Sequence, residues 1–300
     1  MRRIKTKNKA GTIVFICCFL APALLHILIF WLGINIRSIQ MAFTDYDTGR
    51  LSFANFETAW QMLVNSKESD LARGFANTCK FFVVGLVNVP LTLFASYVIF
   101  KKMAFNRFVR IALYLPGAIS TLMMARLFNQ FTMADGVLGK IVELFGSSMN
   151  GTSLMTNEET ALGSIIFFDL WIGLGGGLVL WFGAVGRIPP ELLEYDRLEG
   201  VGEIREFVSI VMPLLWPTFV TMITLQIVGF FGATGSVLVF TYGKYDTMTI
   251  GYWMYHIVNF GQEELYNIAN AAAISFMLIT MPVLIAARKF LNRFGREVEY

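Results

Sequence analysis

The sequence predicts an all-α membrane protein with six transmembrane helices. Hydrophobic residues make up 56% of the 300 residues and charged residues 15%, well below the roughly 25% that is usual in soluble domains. The apolar residues are also grouped into long runs that carry almost no charge. Because a bilayer offers no water, the backbone of each run must satisfy its own hydrogen bonds, and a long apolar run does so as a helix.

Six of these runs are long enough to cross a membrane, since roughly 20 helical residues span the ~30 Å hydrocarbon core. Four contain no charged residue, while the third contains only Arg126 and the fourth only Asp169. In chain order the runs cover residues 11–34, 81–100, 111–131, 161–186, 211–240 and 268–287. Pro90 and Pro116 predict kinks, which serve either simple packing or movement.

The distribution of basic residues predicts the orientation, because Lys and Arg favour the cytoplasmic side of a membrane. If the N-terminal tail, residues 1–10, is cytoplasmic, 16 of the 24 Lys and Arg residues lie on that side. The first run is too long for the apolar part of a cleavable signal and no A-x-A-like site ends it, so we expect it to anchor the chain. Both termini are therefore predicted to be cytoplasmic. The net charge of +3 reflects this topology rather than nucleic-acid binding.

The loops on the opposite side are longer and carry many of the acidic residues. They cover residues 35–80, 132–160 and 241–267 and contain aromatic residues such as Phe53, Trp60 and Trp253. We expect them to form an ordered external cap. With no sign of a separate soluble domain, residues 1–300 are expected to form one transmembrane domain.

The cytoplasmic loop between the fourth and fifth runs, residues 188–208, is more than a connection of a few residues. Two prolines from Pro189 suit the start of a short amphipathic helix, and Gly200 with Gly202 permits a sharp turn. A second short helix then leads to Pro213, which starts the fifth span. Such a knob predicts a docking partner, although a solvated amphipathic connection is the simpler alternative for the loop taken alone.

This loop resembles a known motif. The stretch Glu194-Tyr-Asp-Arg-Leu-Glu-Gly200, with Met212-Pro213 twelve residues after Gly200, is similar to the Glu-Ala-Ala…Gly loop of binding-protein-dependent ATP-binding-cassette (ABC) permeases. In that family the loop seats in a groove of the ATPase subunit. Three positions here depart from the motif, two where it has alanine and one where it has aspartate: Tyr195, Asp196 and Glu199.

The resemblance extends over nearly the whole chain. Several other segments look like the carbohydrate-uptake branch of these permeases, specifically the maltose- and glycerol-phosphate-type first permease subunit. They are residues 19–23, 42–46, 51–56, 115–120, 136–139 and 171–175.

The resemblance implies a type I ABC importer permease fold in a bacterial cytoplasmic membrane. It implies a second permease subunit, more often a different chain than a copy, together with a cytoplasmic ATPase dimer that binds ATP and Mg²⁺ and an extracytoplasmic solute-binding protein. The implied substrate is a carbohydrate, with an oligosaccharide favoured and glycerol phosphate as an alternative. The residues expected to couple to the ATPase are Glu191, Glu194, Glu199, Gly200, Phe207 and Pro213.

Residues that bind a sugar in the pore would be aromatic rings that stack on it and polar groups that bond its hydroxyls. The pore candidates on this basis are Phe128, Asn129, Asp169, Trp171, Gln226, Phe230 and Phe231. An ionisable group inside a membrane helix is costly unless it faces a cavity or a partner. Asp169 is therefore expected to face the pore or another subunit, and the alternatives are a place near the external interface or a buried hydrogen bond between helices. For the aromatic residues, packing in the core or against lipid is the alternative.

The sequence argues against catalysis and against ATP or metal binding by this chain. No Gly-x-x-x-x-Gly-Lys-Ser/Thr motif occurs, so ATP is expected to bind to a partner, and the glycines at 173, 175, 176 and 177 predict close helix packing. Two distant histidines and three cysteines without metal-ligand spacing predict no cofactor, metal site or catalytic residue. An intramembrane enzyme and a membrane scaffold without transport are the alternatives to a transporter.

Overall fold

A computed structural model describes the protein at residues 9–64, 69–101, 106–144, 153–189, 191–192, 200, 202–261 and 263–295. In chain order the helices of these residues are α1 (Lys9–His26), α2 (Gly33–Ala42), α3 (Ala54–Val64), α4 (Asp70–Phe100), α5 (Asn106–Ala118), α6 (Thr121–Phe131), α7 (Val137–Leu144), α8 (Ala161–Val185), α9 (Glu203–Glu206), α10 (Met212–Leu214), α11 (Trp216–Val228), α12 (Gly235–Phe240), α13 (Ile250–Phe260) and α14 (Glu263–Asn292). A π-helical turn over Phe207–Val211 joins α9 to α10.

Five helical segments of the described chain are long and apolar enough to cross a membrane, and a bent helix pair makes a possible sixth. The five are Gly11–Ala42, Asp70–Phe100, Ala161–Val185, Trp216–Phe240 and Glu263–Asn292. Each overlaps one of the predicted apolar runs. The prediction of an all-α membrane protein is thereby confirmed.

The third predicted run, residues 111–131, is not the single helix that its composition predicts. The pair formed by α5 and α6 bends by 114° at a short break. The cause lies in the last turn of α5, where Pro116 has no N–H to donate and Gly117 has no side chain to restrict the backbone. Ser120 then adopts ψ 128° and begins α6. Pro90, by contrast, lies inside α4, which continues to Phe100.

The described residues belong to two compact units, of which the first comprises Met1–Gln61 and Gly261–Phe276. Its turn after α2 is closed by an antiparallel bridge between Thr44 and Leu51. The Asp45 carboxylate accepts hydrogen bonds of 2.8 Å from the Thr48 N–H and hydroxyl, and these bonds lower the pKa of Asp45. Gly49 allows the turn because its φ is +64°.

Two asparagines hold this turn from the side. Asn55 Nδ2 lies 3.0 Å from the Ala42 carbonyl oxygen and 2.9 Å from that of Thr44, and Asn267 Nδ2 donates to the Thr44 carbonyl at 2.8 Å. The rings of Phe43, Phe53 and Phe56 pack against one another, with centroids 4.9 to 6.0 Å apart. The segments 42–46 and 51–56 therefore form a folded turn whose residues stabilise one another.

The second unit comprises Met62–Phe260 and Met277–Tyr300. In it α8 packs along both α4 and α5. A cluster of large buried side chains, among them Leu93, Tyr97 and Trp181, lies between α4, α8 and the start of α11. Because lipid tails are as apolar as these side chains, the cluster stabilises the unit through close van der Waals contact rather than through removal of apolar surface from water.

The glycines of α8 allow that close contact. A Cβ at Gly175 would lie 3.0 Å from the backbone nitrogen of Gly117 in α5, and a Cβ at Gly177 would lie 2.9 Å from Thr92 Cγ2 in α4. Small residues let helix backbones approach one another in a membrane. The prediction that this glycine run serves helix packing is confirmed for Gly175 and Gly177.

The segment that leads into α13 is attached to the first half of α4. The buried Asn77 side chain donates through Nδ2 to the carbonyl oxygens of Asp246 at 2.7 Å and Met248 at 3.0 Å. The Ile250 N–H donates to Thr78 Oγ1 at 3.0 Å. In its described part, this predicted external loop is thus ordered, as its aromatic content indicates.

Replacing Gly175 by Ala is expected to destabilise the protein, because the new methyl group meets backbone atoms at 3.0 Å and overpacking costs about 1–3 kcal/mol. Gly176→Ala is the matched control, since nothing lies within 4 Å of its Cβ position. The measurement is the thermal midpoint of the purified protein in detergent. A fall for Gly175→Ala alone is expected; equal midpoints would refute the close-contact interpretation.

Candidate functional site

Two adjoining cavities lie between α4, α8 and α11. Their volumes are about 320 Å³ and about 310 Å³, and both are lined by Asn88, Gly173 and Gln226. The first cavity also meets Asp169 and Phe230, and the second continues along Thr92. Two neighbouring spaces, each with a few polar groups among apolar walls, therefore lie in a part of the chain that is otherwise apolar.

Asn88 lines both cavities and carries an unsatisfied polar atom. Its Oδ1 is buried and has no hydrogen-bond partner in the described part of the protein. A buried acceptor without a partner costs about 1–3 kcal/mol. Its Nδ2 lies 2.8 Å from the position that a Cβ of Gly173 would take, so the glycine makes room for the amide.

Asp169 has two roles in the structure. It lines the first cavity, and its carboxylate accepts a hydrogen bond from the Ser236 hydroxyl of α12. Of the alternatives that the sequence leaves open, a group that faces a cavity and a hydrogen bond between helices are both seen. The hydrogen bond orients the carboxylate and leaves its other oxygen for a further donor.

The predicted aromatic candidates divide into two groups. Phe230 lines the first cavity and packs against Phe82 and Phe231, with centroids 5.1 Å and 4.9 Å away. Phe128, which is 2% exposed, packs instead in a cluster with Trp171, whose ring centroid is 6.2 Å away.

Phe128 and Trp171 do not line either of the two cavities. Asn129 is exposed, and its carbonyl oxygen accepts a hydrogen bond from the Thr132 hydroxyl at 2.9 Å. Phe231 touches the site through Phe230. We therefore build the candidate site on Asp169, Gln226 and Phe230.

Sequence reasoning missed Asn88 and Gly85 as site residues. A Cβ at Gly85 would lie 3.0 Å from Gln226 Oε1, so this glycine gives the glutamine its place beside the cavity. The signal for Asn88 was present, since it is a lone amide in an uncharged run. Nothing in the sequence indicates which helix it faces.

The predicted coupling loop is described in part. Gly200 has φ +73°, as expected for a sharp turn, and α9 follows it. Glu191 is exposed, and Pro213 lies inside α10. Glu194 and Glu199 lie outside the described residues.

The segment formed by α9 and the π turn after it has one exposed apolar face and one face packed against α4. Ile204 is 75% exposed and Val208 is 60% exposed, one helical turn apart. Phe207 points the other way, with its ring centroid 5.3 Å from those of Phe94 and Tyr97 in α4. The sequence predicts Phe207 at a partner surface, whereas here it packs within the chain.

Comparison with known proteins agrees with this geometry. No protein-family model matches the chain. It is similar to the starch degradation products permease AmyD of Thermoanaerobacterium thermosulfurigenes, with 25% identity over 94% of each chain. It is also similar to the arabinooligosaccharides permease AraP of Bacillus subtilis, with 25% identity over 71% of this chain and 67% of the other.

A solved structure has the same fold. A chain of a bacterial ABC transporter involved in the import of alginate matches with a TM-score of 0.80 and 21% identity, over 98% of this chain and 100% of the other. The chain thus has the fold of an ABC importer permease and is similar in sequence to permeases that import sugars. With several helices long and apolar enough to cross a membrane, it is an integral membrane transport subunit of this kind rather than an enzyme.

The cavity of the permease is expected to hold water. In a background without the natural cysteines (Cys17, Cys18 and Cys79 replaced by Ala), Ala233→Cys should react with a small, charged methanethiosulfonate reagent, because Ala233 lines the first cavity. Ala125→Cys is the matched control, since Ala125 is 1% exposed inside the aromatic cluster. Labelling is measured by mass spectrometry of the protein in native membranes. Equal labelling of both cysteines would contradict the cavity.

Proposed function

We propose that the permease imports a carbohydrate, most simply an oligosaccharide, across the bacterial cytoplasmic membrane by alternating access. The observation that carries the proposal is the polar cavity between α4, α8 and α11, in a chain whose relatives are named for starch degradation products and arabinooligosaccharides. A membrane scaffold without transport has no use for such a cavity.

The groups around the cavity suit an uncharged sugar. Asn88 and Gln226 offer amide donors and acceptors to hydroxyl groups, and Phe230 offers an aromatic face for stacking. Asp169 offers a carboxylate, which accepts hydrogen bonds from hydroxyl groups. No basic side chain is found among the described residues that line the two cavities.

The absence of a cation along these walls favours a neutral sugar over glycerol phosphate, the alternative substrate. A phosphate group would face Asp169, and like charges in a low-dielectric site repel strongly. An anionic substrate would need its positive charges from the second permease subunit.

The partners that we propose are those of an importer: a second, different permease subunit, a cytoplasmic ATPase dimer that binds ATP and Mg²⁺, and an extracytoplasmic solute-binding protein. The excess of Lys and Arg on one side supports a cytoplasmic location for both termini. The loop around Gly200 then faces the ATPase. Its exposed apolar pair, Ile204 and Val208, suits an apolar groove on that partner.

Uptake into proteoliposomes tests the proposed function. The complex is purified from native membranes with its partners, and import of labelled maltotriose, arabinotriose and lactose is compared with import of glycerol 3-phosphate. We expect ATP-dependent import of at least one neutral sugar and little or none of the phosphate. Import of the phosphate alone would favour the alternative substrate. Import of none of the four, by a complex that contains an ATPase, would contradict the proposal.

Gly200→Val is expected to abolish import or ATPase association while leaving the protein in the membrane. A β-branched residue at φ +73° pays roughly 1–2 kcal/mol in backbone strain, and the turn would reshape. Gly202→Val is the matched control, because Gly202 has φ −68° and no atom of the described residues lies within 4 Å of either Cβ position. Co-purified ATPase and sugar uptake are the measurements. Equal activity of the two variants would show that the turn does not set the coupling.

A further inference from the structure

A buried ion pair joins α9 to the cytoplasmic end of α4. Glu206 in α9 is 0% exposed, and its Oε2 lies 2.5 Å from Nζ of Lys101, the residue that caps α4. The two side chains are 1% and 7% exposed. Lys101 also lies over the Tyr97 ring, with its Nζ 5.6 Å from the centroid.

Tyr97 completes the attachment. Its hydroxyl lies 3.0 Å from Glu206 Oε1 and 3.1 Å from the carbonyl oxygen of Glu203, so it donates to one or shares its proton between them. The ring packs against Phe207, the first residue of the π turn. An ion pair, hydrogen bonds and an aromatic contact thus all attach residues 203–207 to the last turn of α4.

Stability does not explain why this contact is ionic. Removing two charges from water costs several kcal/mol per ion, and apolar residues of similar volume often hold such a place equally well. An ion pair instead fixes a geometry, because the Glu206 carboxylate can bind the Lys101 ammonium group and the Tyr97 hydroxyl together in only one position. The pair specifies where α9 lies against α4.

The helix to which the pair is attached also lines the cavity. Asn88 lies thirteen residues before Lys101 in α4, or about 20 Å along the axis at 1.5 Å per residue. The described helix is continuous between them. Thr92, which lines the second cavity, lies on the same side of Pro90 as Lys101. A displacement of α9 is therefore transmitted along an uninterrupted stretch of α4 to the wall of that cavity.

We propose that Lys101, Glu206 and Tyr97 form a brace that transmits movement of the cytoplasmic loop to α4 and the cavity. The inference rests on the proposed function, because it needs an ATPase that moves the loop. These are positioning residues, since none of them lines the two cavities. Without the brace, the loop can follow the ATPase while α4 does not.

The test measures ATP hydrolysed per sugar imported by the purified complex in proteoliposomes, with the neutral sugar that the wild type imports best among maltotriose, arabinotriose and lactose. Glu206→Gln is expected to raise this ratio several-fold, because the directional ion pair is lost. Glu203→Gln is the matched control: it lies in the same helix, its side chain is exposed, and the ratio should not change. A raised ratio in both variants would overturn the brace.

A second variant separates positioning from stability. Lys101→Met combined with Glu206→Leu replaces the pair by apolar side chains that should preserve thermal stability and subunit content, while the ratio of ATP to sugar stays raised. A stable double variant with a wild-type ratio would overturn the proposal. If the double variant does not assemble, Tyr97→Phe decides, since it keeps both charges and removes only the hydroxyl: a raised ratio supports the brace and an unchanged ratio overturns it.

The brace and the proposed function fail in different ways. If the permease is not an importer, the wild-type complex imports none of the tested sugars. If the permease is an importer but the brace does not transmit movement, the wild type and the variants import sugar with the same number of ATP molecules hydrolysed per sugar.

Discussion

The close crossing of α8 with α4 and α5 is the contact on which the rest of the described second unit depends. Within a bilayer, apolar side chains gain little by leaving lipid for one another, so helices associate through close van der Waals contact and hydrogen bonds. Gly175 against Gly117 and Gly177 against Thr92 supply that contact. Because α8 lies so close to its neighbours, the polar groups on this face of α8 contact other helices and not lipid.

The cavity follows from the same crossing. Gly173 lies two residues before Gly175, and its missing side chain leaves the space that the Asn88 amide takes. Asp169 lies one turn earlier and meets Ser236 and the cavity. The glycines therefore do two things: some bring backbones together, and one of them opens room for a polar group. This division explains how an apolar helix contributes to a hydrophilic space.

α4 connects the two functional ends of the second unit. At one end its Asn77 and Thr78 hold the segment before α13, and at the other its Tyr97 and Lys101 hold α9. The cavity lies between these attachments. A long helix fixed at both ends moves as a body, because its backbone hydrogen bonds resist bending except where proline or an insertion weakens them. Pro90, close to Asn88, is the place where α4 is weakened.

The sequence by itself determined the membrane-spanning runs, the all-α class, the glycine packing and, through motifs spread over nearly the whole chain, the resemblance to ABC importer permeases. These depend on local composition and spacing, because lipid imposes the helical backbone on any long apolar run. Tertiary structure decided the bend between α5 and α6, the burial of Phe128 away from the cavity and the pairing of Glu206 with Lys101. Each of these depends on which face of a helix meets which neighbour, and side-chain type alone does not specify that: Phe128 and Phe230 are the same residue type, yet only Phe230 lines a cavity.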